Sequence, residues 1–324
     1  MKCWLISRCL KGGRVTRKKD TLSAKGLPQV DAMELAVNPL VARVEAIAAR
    51  VRPNTFPSRP TEQPERLSDK IVQLPLWAEY RRGVPNDLVR GALFTVGNSS
   101  AKRAYRKSAV IAALGNIEIV YTGEELRQDD EDVFLQLVHL ARMSPLGCFI
   151  EFTAHSLLKA LKWPTNSRSY GRLRDTITRL NATGLEVRSE NRGYSGSLIR
   201  DFEWRGADGS SSRMWKVRLE PRIVALFGHV AYSQIDWDQR LKLGNLGKWL
   251  HSFYYTHAQP YPLKVETIHR LCGSTTRSIA KFRQLLRSAM EELIAVGFLD
   301  SWDIDKNTIR VTRGTKQIGP STAP

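Results

Sequence analysis

The sequence predicts an α+β fold built from two successive domains that repeat one order of elements. Residues 129–220 are predicted to form a helix, a strand, two helices and then paired strands, and residues 247–313 repeat that order with slight sequence identity. A polar, proline-rich stretch near the N-terminus is typical of a flexible leader. A helix, a strand, two helices and a β-hairpin form a winged helix, so two winged-helix domains in tandem are predicted.

Three regions follow from this pattern. Residues 1–84 are predicted to be a flexible, basic and proline-rich leader, with a marginal helix over VARVEAIAARV. Residues 85–231 are predicted to form the first winged-helix domain and residues 232–324 the second. The leader ends in an apolar cluster, Gln73-Leu74-Pro75-Leu76-Trp77, which either docks onto the body or binds another protein.

In the first domain, the β-branched and aromatic runs GALFTV and IEIVYT predict strands. Asp129–Arg142 begins with acids and ends with arginine, as the helix dipole favours. The strand FIEFT and the helices AHSLLKALKW and SRSYGRLRDTITRLNATG follow. LEVRSE, SLIRDFEW and MWKVRLE alternate like hairpin strands and are predicted to form the first wing.

In the second domain, GKWLHSFYYTHA predicts a helix, PLKVE a short strand and TIHRLCG another helix. A long helix over STTRSIAKFRQLLRSAMEELIAVG and a terminal hairpin of FLDSWDI and NTIRVTR complete the pattern.

Composition narrows the class of partner. The 324 residues carry a formal charge of +18, which favours nucleic acid first and an acidic membrane surface second. The four cysteines form no Cys-x-x-Cys pair, so a reduced, cytoplasmic protein is expected. No apolar run approaches the ~20 residues that span a bilayer, so no membrane partner is expected.

Both last helices before a hairpin present cations along one face. At ~100° per residue, Arg168, Arg172 and Arg179 fall on one narrow face of the first helix, opposite an apolar stripe. Arg277, Lys281 and Gln284 fall together on the second. Arginine and glutamine form paired hydrogen bonds with base edges in the major groove, so both helices are predicted to read DNA.

The wings supply further cations. Arg188, Arg192 and Arg200 in the first wing, and Arg310 and Arg313 in the second, are predicted to grip phosphates or the minor groove. The alternative to DNA contact is that the cationic side chains on these helices and wings are ordinary surface residues exposed to solvent.

The motifs of an enzyme are missing from the sequence. None of the six histidines forms His-x-His or HExxH. Asp129, Asp130, Glu131 and Asp132 are better explained as a helix N-terminus than as a cation site. GNLGKW has the wrong glycine spacing for a phosphate loop, and Trp249 stands where Ser or Thr would bind magnesium. The expectation is no catalysis, no cofactor and no metal.

Three segments resemble TrfA-type plasmid replication initiators: VPNDLVRGALFTVGN, YTGEELRQDDEDVF and HAQPYPLKVETIHRLCGS. The resemblance runs from about Pro85 to Asp303. It implies a bacterial, plasmid-encoded protein that binds directly repeated origin sequences (iterons) and helps open an A·T-rich segment, with single-stranded A·T-rich DNA as a further partner. The family also implies recruitment of DnaA, the replicative helicase and the sliding clamp, and a monomer–dimer equilibrium in which monomers bind the origin.

The resemblance also suggests a role for the cluster in the leader. Gln73, Leu74, Leu76 and Trp77 resemble the Gln-Leu-x-Leu-Phe peptide by which bacterial proteins bind the sliding clamp, with Trp in place of Phe and a central Pro. In the family, the residues that match Leu93 and Phe94 have also been tied to clamp contact, although here they equally suit a buried strand.

Two other functions are compatible with parts of the pattern. A tandem winged-helix transcriptional regulator would need no clamp peptide and would favour palindromic operators. An origin nickase would cut supercoiled DNA in the presence of Mg²⁺, but its metal-binding histidines are absent.

Overall fold

The computed structural model describes residues 73–98, 101–189, 192–205, 211–227 and 231–314, and its mixture of helices and strands confirms the predicted α+β class. The helices are α1 (Asn86–Val89), α2 (Gln128–Ala141), α3 (Ala154–Ala160), α4 (Ser167–Asn181), α5 (Trp237–Arg240), α6 (Asn245–Tyr255), α7 (Val265–Leu271) and α8 (Ile279–Ala295). The strands of the first half are β1 (Arg81–Pro85), β2 (Phe94–Thr95), β3 (Tyr105–Ile111), β4 (Glu118–Glu124), β5 (Leu126–Arg127), β6 (Ile150–Thr153), β7 (Gly184–Ser189) and β8 (Arg192–Gly196). The later strands are β9 (Ile199–Arg205), β10 (Ser211–Leu219), β11 (Tyr232–Asp236), β12 (Leu263–Lys264), β13 (Leu299–Asp305) and β14 (Thr308–Arg313).

Two stretches of the chain share one construction. In the first module (residues 128–219), α2 precedes β6, α3, α4 and the hairpin β9–β10. In the second module (residues 245–313), α6 precedes β12, α7, α8 and the hairpin β13–β14. The three-stranded sheets have equivalent strand orders, β6-β10-β9 and β12-β14-β13. The chain therefore contains the recurring element order predicted above.

Local capping determines where the last helix of each module begins. The side chain of Asn166 accepts a hydrogen bond from the Ser169 amide at 3.0 Å, which caps α4. The side chain of Ser278 accepts one from the Lys281 amide at 3.3 Å, which caps α8. Each cap satisfies an amide that has no partner within its own helix.

The composition of the first wing was predicted incorrectly. Strands β7 and β8 join β3 and β4 in a separate four-stranded sheet of order β3-β4-β7-β8, and β9 and β10 form the hairpin. Along β7, Glu118 pairs with Arg188 and Thr122 with Gly184. The partner of β7 thus lies far back in the sequence, where a local alternating pattern cannot reveal it. Arg188 and Arg192 consequently belong to the four-stranded sheet.

The boundary of the leader also needs correction. Strand β1 extends across the predicted boundary at residue 84 and pairs antiparallel with β11, from Arg81 opposite Asp236 to Pro85 opposite Tyr232. Residues 73–84 are therefore part of the folded body, because their backbone and apolar side chains find partners there. The rest of the predicted leader, including its helix, lies outside the described residues.

Two hydrophobic clusters hold the described residues together within one compact unit. The larger cluster includes residues between Leu74 and Trp237, and the smaller one includes residues between Leu243 and Ile309. Among the described residues, no helix is both long enough and apolar enough to cross a membrane.

Candidate nucleic-acid interface

Helix α8 presents a polar, basic face to solvent. Lys281 and Gln284 are exposed, as the helical periodicity predicts, and Arg287 lies on the same side. Arg277 is also exposed, but it precedes the Ser278 cap and lies outside α8, so the predicted helix began too early. The Lys281 ammonium lies 3.4 Å from the Gln284 amide oxygen, so these two side chains lie side by side. On the opposite face, Phe282, Leu286, Ala289, Met290 and Leu293 are buried in the second core.

Helix α4 differs from the prediction because acids cover part of its arginine face. Arg179 is only 14% exposed and binds Asp130 at 2.5 Å and Glu124 at 2.6 Å. Arg172 is 44% exposed, pairs with Asp129 at 2.9 Å, and its guanidinium lies 3.9 Å from the centre of the Trp163 ring. The prediction of a free face over Arg168, Arg172 and Arg179 is wrong for Arg179, because a periodic pattern does not show which neighbour covers a face.

The open face of α4 contains residues that the sequence reasoning did not select. Ser167, Arg174 and Thr178 are exposed together with Arg168. Near the middle of this face, a Cβ added at Gly171 would meet nothing within 4 Å. The i, i+4, i+7 and i+11 spacing of Ser167, Gly171, Arg174 and Thr178 was the signal that could have revealed this face. It combines two cations, small side chains and open space for a close approach.

The predicted wing residues have different surroundings. Arg310 is exposed on β14, 3.7 Å from Asp305. Arg192 lies in β8, and its side chain is outside the described part of the chain. At the ends of the first hairpin, Arg205 and Arg213 are exposed on either side of residues 206–210.

The apolar cluster of the predicted leader docks onto the body. We call residues 73–80 the docked segment. Trp77 is 7% exposed, stacks on Phe227 and donates a hydrogen bond from its indole nitrogen to Nδ1 of His139 at 3.0 Å. A Cβ added at Gly83 would lie 2.7 Å from the Trp77 ring, so only glycine allows this close packing.

Other contacts hold both ends of the docked segment. Gln73 donates a hydrogen bond to the carbonyl of Arg142 at 3.1 Å, and Leu74 is buried in the larger core. Glu79 binds both His139 and Arg142, at 3.0 Å and 2.5 Å. Of the two alternatives that the sequence left open, this structure shows the first, because the cluster docks onto the body instead of belonging to a flexible leader.

The residues of the two clamp-like motifs differ sharply in exposure. Leu76 is 65% exposed, whereas Leu93 and Phe94 are each 2% exposed. Phe94 stacks on Phe134 inside the larger core. Leu93 and Phe94 are therefore core residues in this conformation, and Leu76 alone among the apolar side chains of both motifs faces solvent.

The histidine beneath the docked segment is neutral at pH 7. Burial lowers the pKa of His139 to about 4, against the opposing effect of its hydrogen bond with Glu79. Neutral imidazole leaves Nδ1 free to accept from Trp77 while Nε2 donates to Glu79. The hydrogen bond from Trp77 thus requires the form of His139 that the site favours.

The described residues hold no group of three His, Cys, Asp or Glu side chains arranged to bind a metal. In the segment that superficially resembles a phosphate loop, the carboxylate of Glu292 accepts the Gly244 amide at 2.8 Å. An anionic side chain therefore occupies the N-terminus of α6, where a phosphate would have to bind.

Two modules of one construction, each exposing cations on its last helix, define a DNA-binding protein. Residues 60–313 match the family model described as TrfA protein. The chain is 30% identical over 255 residues to the plasmid replication initiator protein TrfA of Escherichia coli, an alignment that covers 78% of this chain and 67% of that protein. The chain belongs to the TrfA family, and it is a plasmid replication initiator of that type.

Two solved structures show weaker likeness. Selenomethionine derivatives of domains 2 and 3 of RctB match at 13% identity and a TM-score of 0.49, covering 71% of this chain and 98% of that one. A second structure of RctB domains 2–3 matches at 12% identity and a TM-score of 0.47, covering 68% and 94%.

Proposed function

We propose that this initiator binds directly repeated origin sequences through two winged-helix modules, with α4 and α8 entering successive major grooves. Binding of this kind would help open an adjacent A·T-rich segment and position the host helicase, DnaA and sliding clamp. The observation that carries the proposal is the equivalent construction of the two modules within one compact unit, each with a basic last helix exposed.

The type of DNA site follows from the lack of symmetry. A palindrome suits a protein with twofold symmetry, because each half-site then meets an identical surface. Here α4 exposes Ser167, Arg174 and Thr178, whereas α8 exposes Lys281 and Gln284, with Arg277 exposed just before it. Two different surfaces on one chain require a site with two different halves, and such a site can recur in one direction along the origin.

The two helices are expected to contribute differently to recognition. At α8, Arg277 just before the helix and Gln284 within it can pair with guanine and adenine edges. On α4, Arg168 and Arg174 flank the open space at Gly171, which lets the backbone approach DNA closely. The exposed arginines at the ends of the first hairpin, Arg205 and Arg213, can hold phosphates beside that groove.

Replacing Arg277 or Lys281 with alanine is expected to weaken binding to the origin repeat. Each lost base contact should cost about 1–3 kcal/mol, and a lost phosphate contact should also reduce the salt dependence of binding. Titration of a footprinted origin duplex by fluorescence anisotropy, at two salt concentrations, measures both effects.

Lys107→Ala is the matched control, because Lys107 is also cationic and exposed but lies on β3 of the four-stranded sheet. Its affinity should stay close to that of the unchanged protein. Full affinity in both variants, Arg277→Ala and Lys281→Ala, would remove the start of α8 and the turn before it from the interface.

We also propose that clamp binding through Gln73–Trp77 requires release of the docked segment. Trp77 and Leu74 cannot enter a partner's pocket while they are buried in the body. The apparent affinity for the clamp is then the intrinsic affinity multiplied by the fraction of molecules in which the segment is released.

Glu79→Ala is expected to increase clamp capture. The substitution removes the contacts of Glu79 with His139 and Arg142 and leaves Gln73–Trp77 intact. A pull-down with purified sliding clamp should retain more Glu79→Ala protein than unchanged protein, and adding Leu76→Ala should remove the gain. Equal retention of all three proteins would exclude this segment as the clamp ligand.

A further inference from the structure

Four consecutive carboxylates at the start of α2 bind both modules at once. We call Gln128–Asp132 the acidic turn. Toward α4, Asp129 accepts from Arg172 at 2.9 Å and Asp130 from Arg179 at 2.5 Å. Arg103 binds both of these aspartates, at 3.1 Å and 2.5 Å. The arginines on one edge of the first DNA-binding helix are therefore anchored to the acidic turn.

The other two carboxylates of the acidic turn, Glu131 and Asp132, bind Arg240 and helix α6. Asp132 accepts from Nε of Arg240 at 2.7 Å and from Lys248 at 2.5 Å. Glu131 lies 3.3 Å from Arg240 and accepts from the Ser252 hydroxyl at 3.1 Å. Lys248 and Ser252 belong to α6, and Arg240 is completely buried beside them. The same turn that holds α4 thus also holds the first helix of the second module.

The N-terminus of α6 and the short helix α5 are in turn bonded to α8. Glu292 of α8 accepts the Gly244 amide at 2.8 Å, and a Cβ added at Gly247 would lie 2.8 Å from the same carboxylate. Gln239, in α5, donates to the carbonyl of Val296 at the end of α8 at 3.0 Å. Charged and polar contacts therefore run without a break from α4, through the acidic turn and α6, to α8.

We infer that the acidic turn sets the relative placement of the two DNA-binding helices and so determines the spacing between the two halves of the DNA site. Its carboxylates are positioning residues that touch no base. The inference rests on the proposed function for its consequence in DNA, but the placement itself is a property of the free protein.

The physical reason is that buried ion pairs are directional and costly to break. A charge that loses its partner inside the protein stays uncompensated, so α4 and α6 cannot shift relative to the turn without losing these bonds. One inserted base pair turns the far half-site by about one tenth of a helical turn, since a turn holds roughly 10–10.5 base pairs. A rigid protein cannot follow that rotation, whereas a loosened one can.

The first experiment measures placement without DNA. Spin labels on Asp175→Cys and Glu291→Cys report the distance between exposed positions of α4 and α8, in a chain whose Cys3, Cys9 and Cys148 are serine. Pulsed electron resonance should give a narrow distance distribution for this protein. Adding Asp132→Asn should broaden the distribution at least twofold, because the turn then loses its ion pair with Lys248 and one of its two ion pairs with Arg240. An unchanged width would overturn the inference, whatever DNA binding shows.

The second experiment measures spacing in DNA. A duplex selected by the unchanged protein from a random library is footprinted, and one to five base pairs are inserted between its protected halves. The unchanged protein should lose affinity at least tenfold on the two-base-pair insertion. Asp132→Asn should lose at least threefold less, and Lys248→Met serves in its place if Asp132→Asn fails to fold by circular dichroism.

Lys107→Gln is the control for the spacing experiment, since it removes an exposed cation of β3 outside the acidic turn. Its spacing penalty should match that of the unchanged protein. Equal penalties in all variants would overturn the inference. Failure of the library to yield any bound duplex would instead contradict the proposed function and leave the spin-label result to decide the inference.

Discussion

Trp77→Ala is expected to lower the free energy of unfolding by about 3–5 kcal/mol, the usual cost of removing a large aromatic side chain from a core. The indole packs against both Phe227 and Tyr232 and donates a hydrogen bond to His139. Its loss leaves a cavity beside Gly83, which has no side chain to fill it. Urea unfolding followed by circular dichroism measures the change.

Leu76→Ala is the matched control for Trp77→Ala. Both residues belong to the same five-residue cluster, but Leu76 faces solvent and should change stability by no more than about 0.5 kcal/mol. Trp77→Phe separates packing from hydrogen bonding and should cost less than Trp77→Ala. Equal stability of Trp77→Ala and Leu76→Ala would mean that the docked segment is not part of the folded state in solution.

Arg240→Ala is expected to destabilise the protein by about 3–5 kcal/mol, because the change leaves Glu131 and Asp132 buried without their main counter-charge. Burial already raises the pKa of Glu131, so losing Arg240 should raise it further. When the pKa of Glu131 is higher in the folded state than in the unfolded state, the folded state binds more protons than the unfolded state as the pH falls from 7. The difference in free energy of unfolding between Arg240→Ala and the unchanged protein should therefore be smaller at pH 5 than at pH 7.

Arg310→Ala provides the comparison for Arg240→Ala. Arg310 is exposed and lies 3.7 Å from one carboxylate, an arrangement that contributes about 0–1 kcal/mol. Thermal or urea unfolding at both pH values should separate the two variants clearly. A small, pH-independent effect of Arg240→Ala would show that the buried network does not hold the modules together.

Periodicity predicted the parts of the fold that depend on neighbouring residues. The apolar stripe through Phe282, Leu286 and Leu293 identified the buried side of α8, and so placed Lys281 and Gln284 in solvent correctly. The repeated element order was also visible, because helix and strand periods differ and each turn is short.

Partners distant in sequence explain the errors. The docking of Trp77 depends on His139 and Phe227, and a proline-rich context gives no hint of either. The pairing of Arg179 depends on Asp130, which the sequence places only at a helix N-terminus. In each case local chemistry determined the conformation of the segment, but tertiary contacts determined what covered it.

The acidic turn both caps the N-terminus of α2 and forms buried ion pairs with arginines. Its position at the start of a helix was anticipated, and the side chain of Asp130 accepts the Arg127 amide at 2.7 Å as a cap should. Burial raises the pKa of Asp130 to about 6, and the charge of Asp129 acts in the same direction. Capping alone would not require such burial, so the additional arginine contacts explain why these acids lie inside the protein.

The pairing of β1 with β11 has a consequence for synthesis on the ribosome. The strand at Arg81–Pro85 is made early, but its partner at Tyr232–Asp236 emerges roughly 150 residues later, at about 5–20 residues per second. For many seconds the nascent chain thus carries an unpaired strand that a chaperone can recognise. A gene cut between residues 231 and 232 would leave that strand unpaired permanently, so fragments made for separate study should keep both strands on one polypeptide.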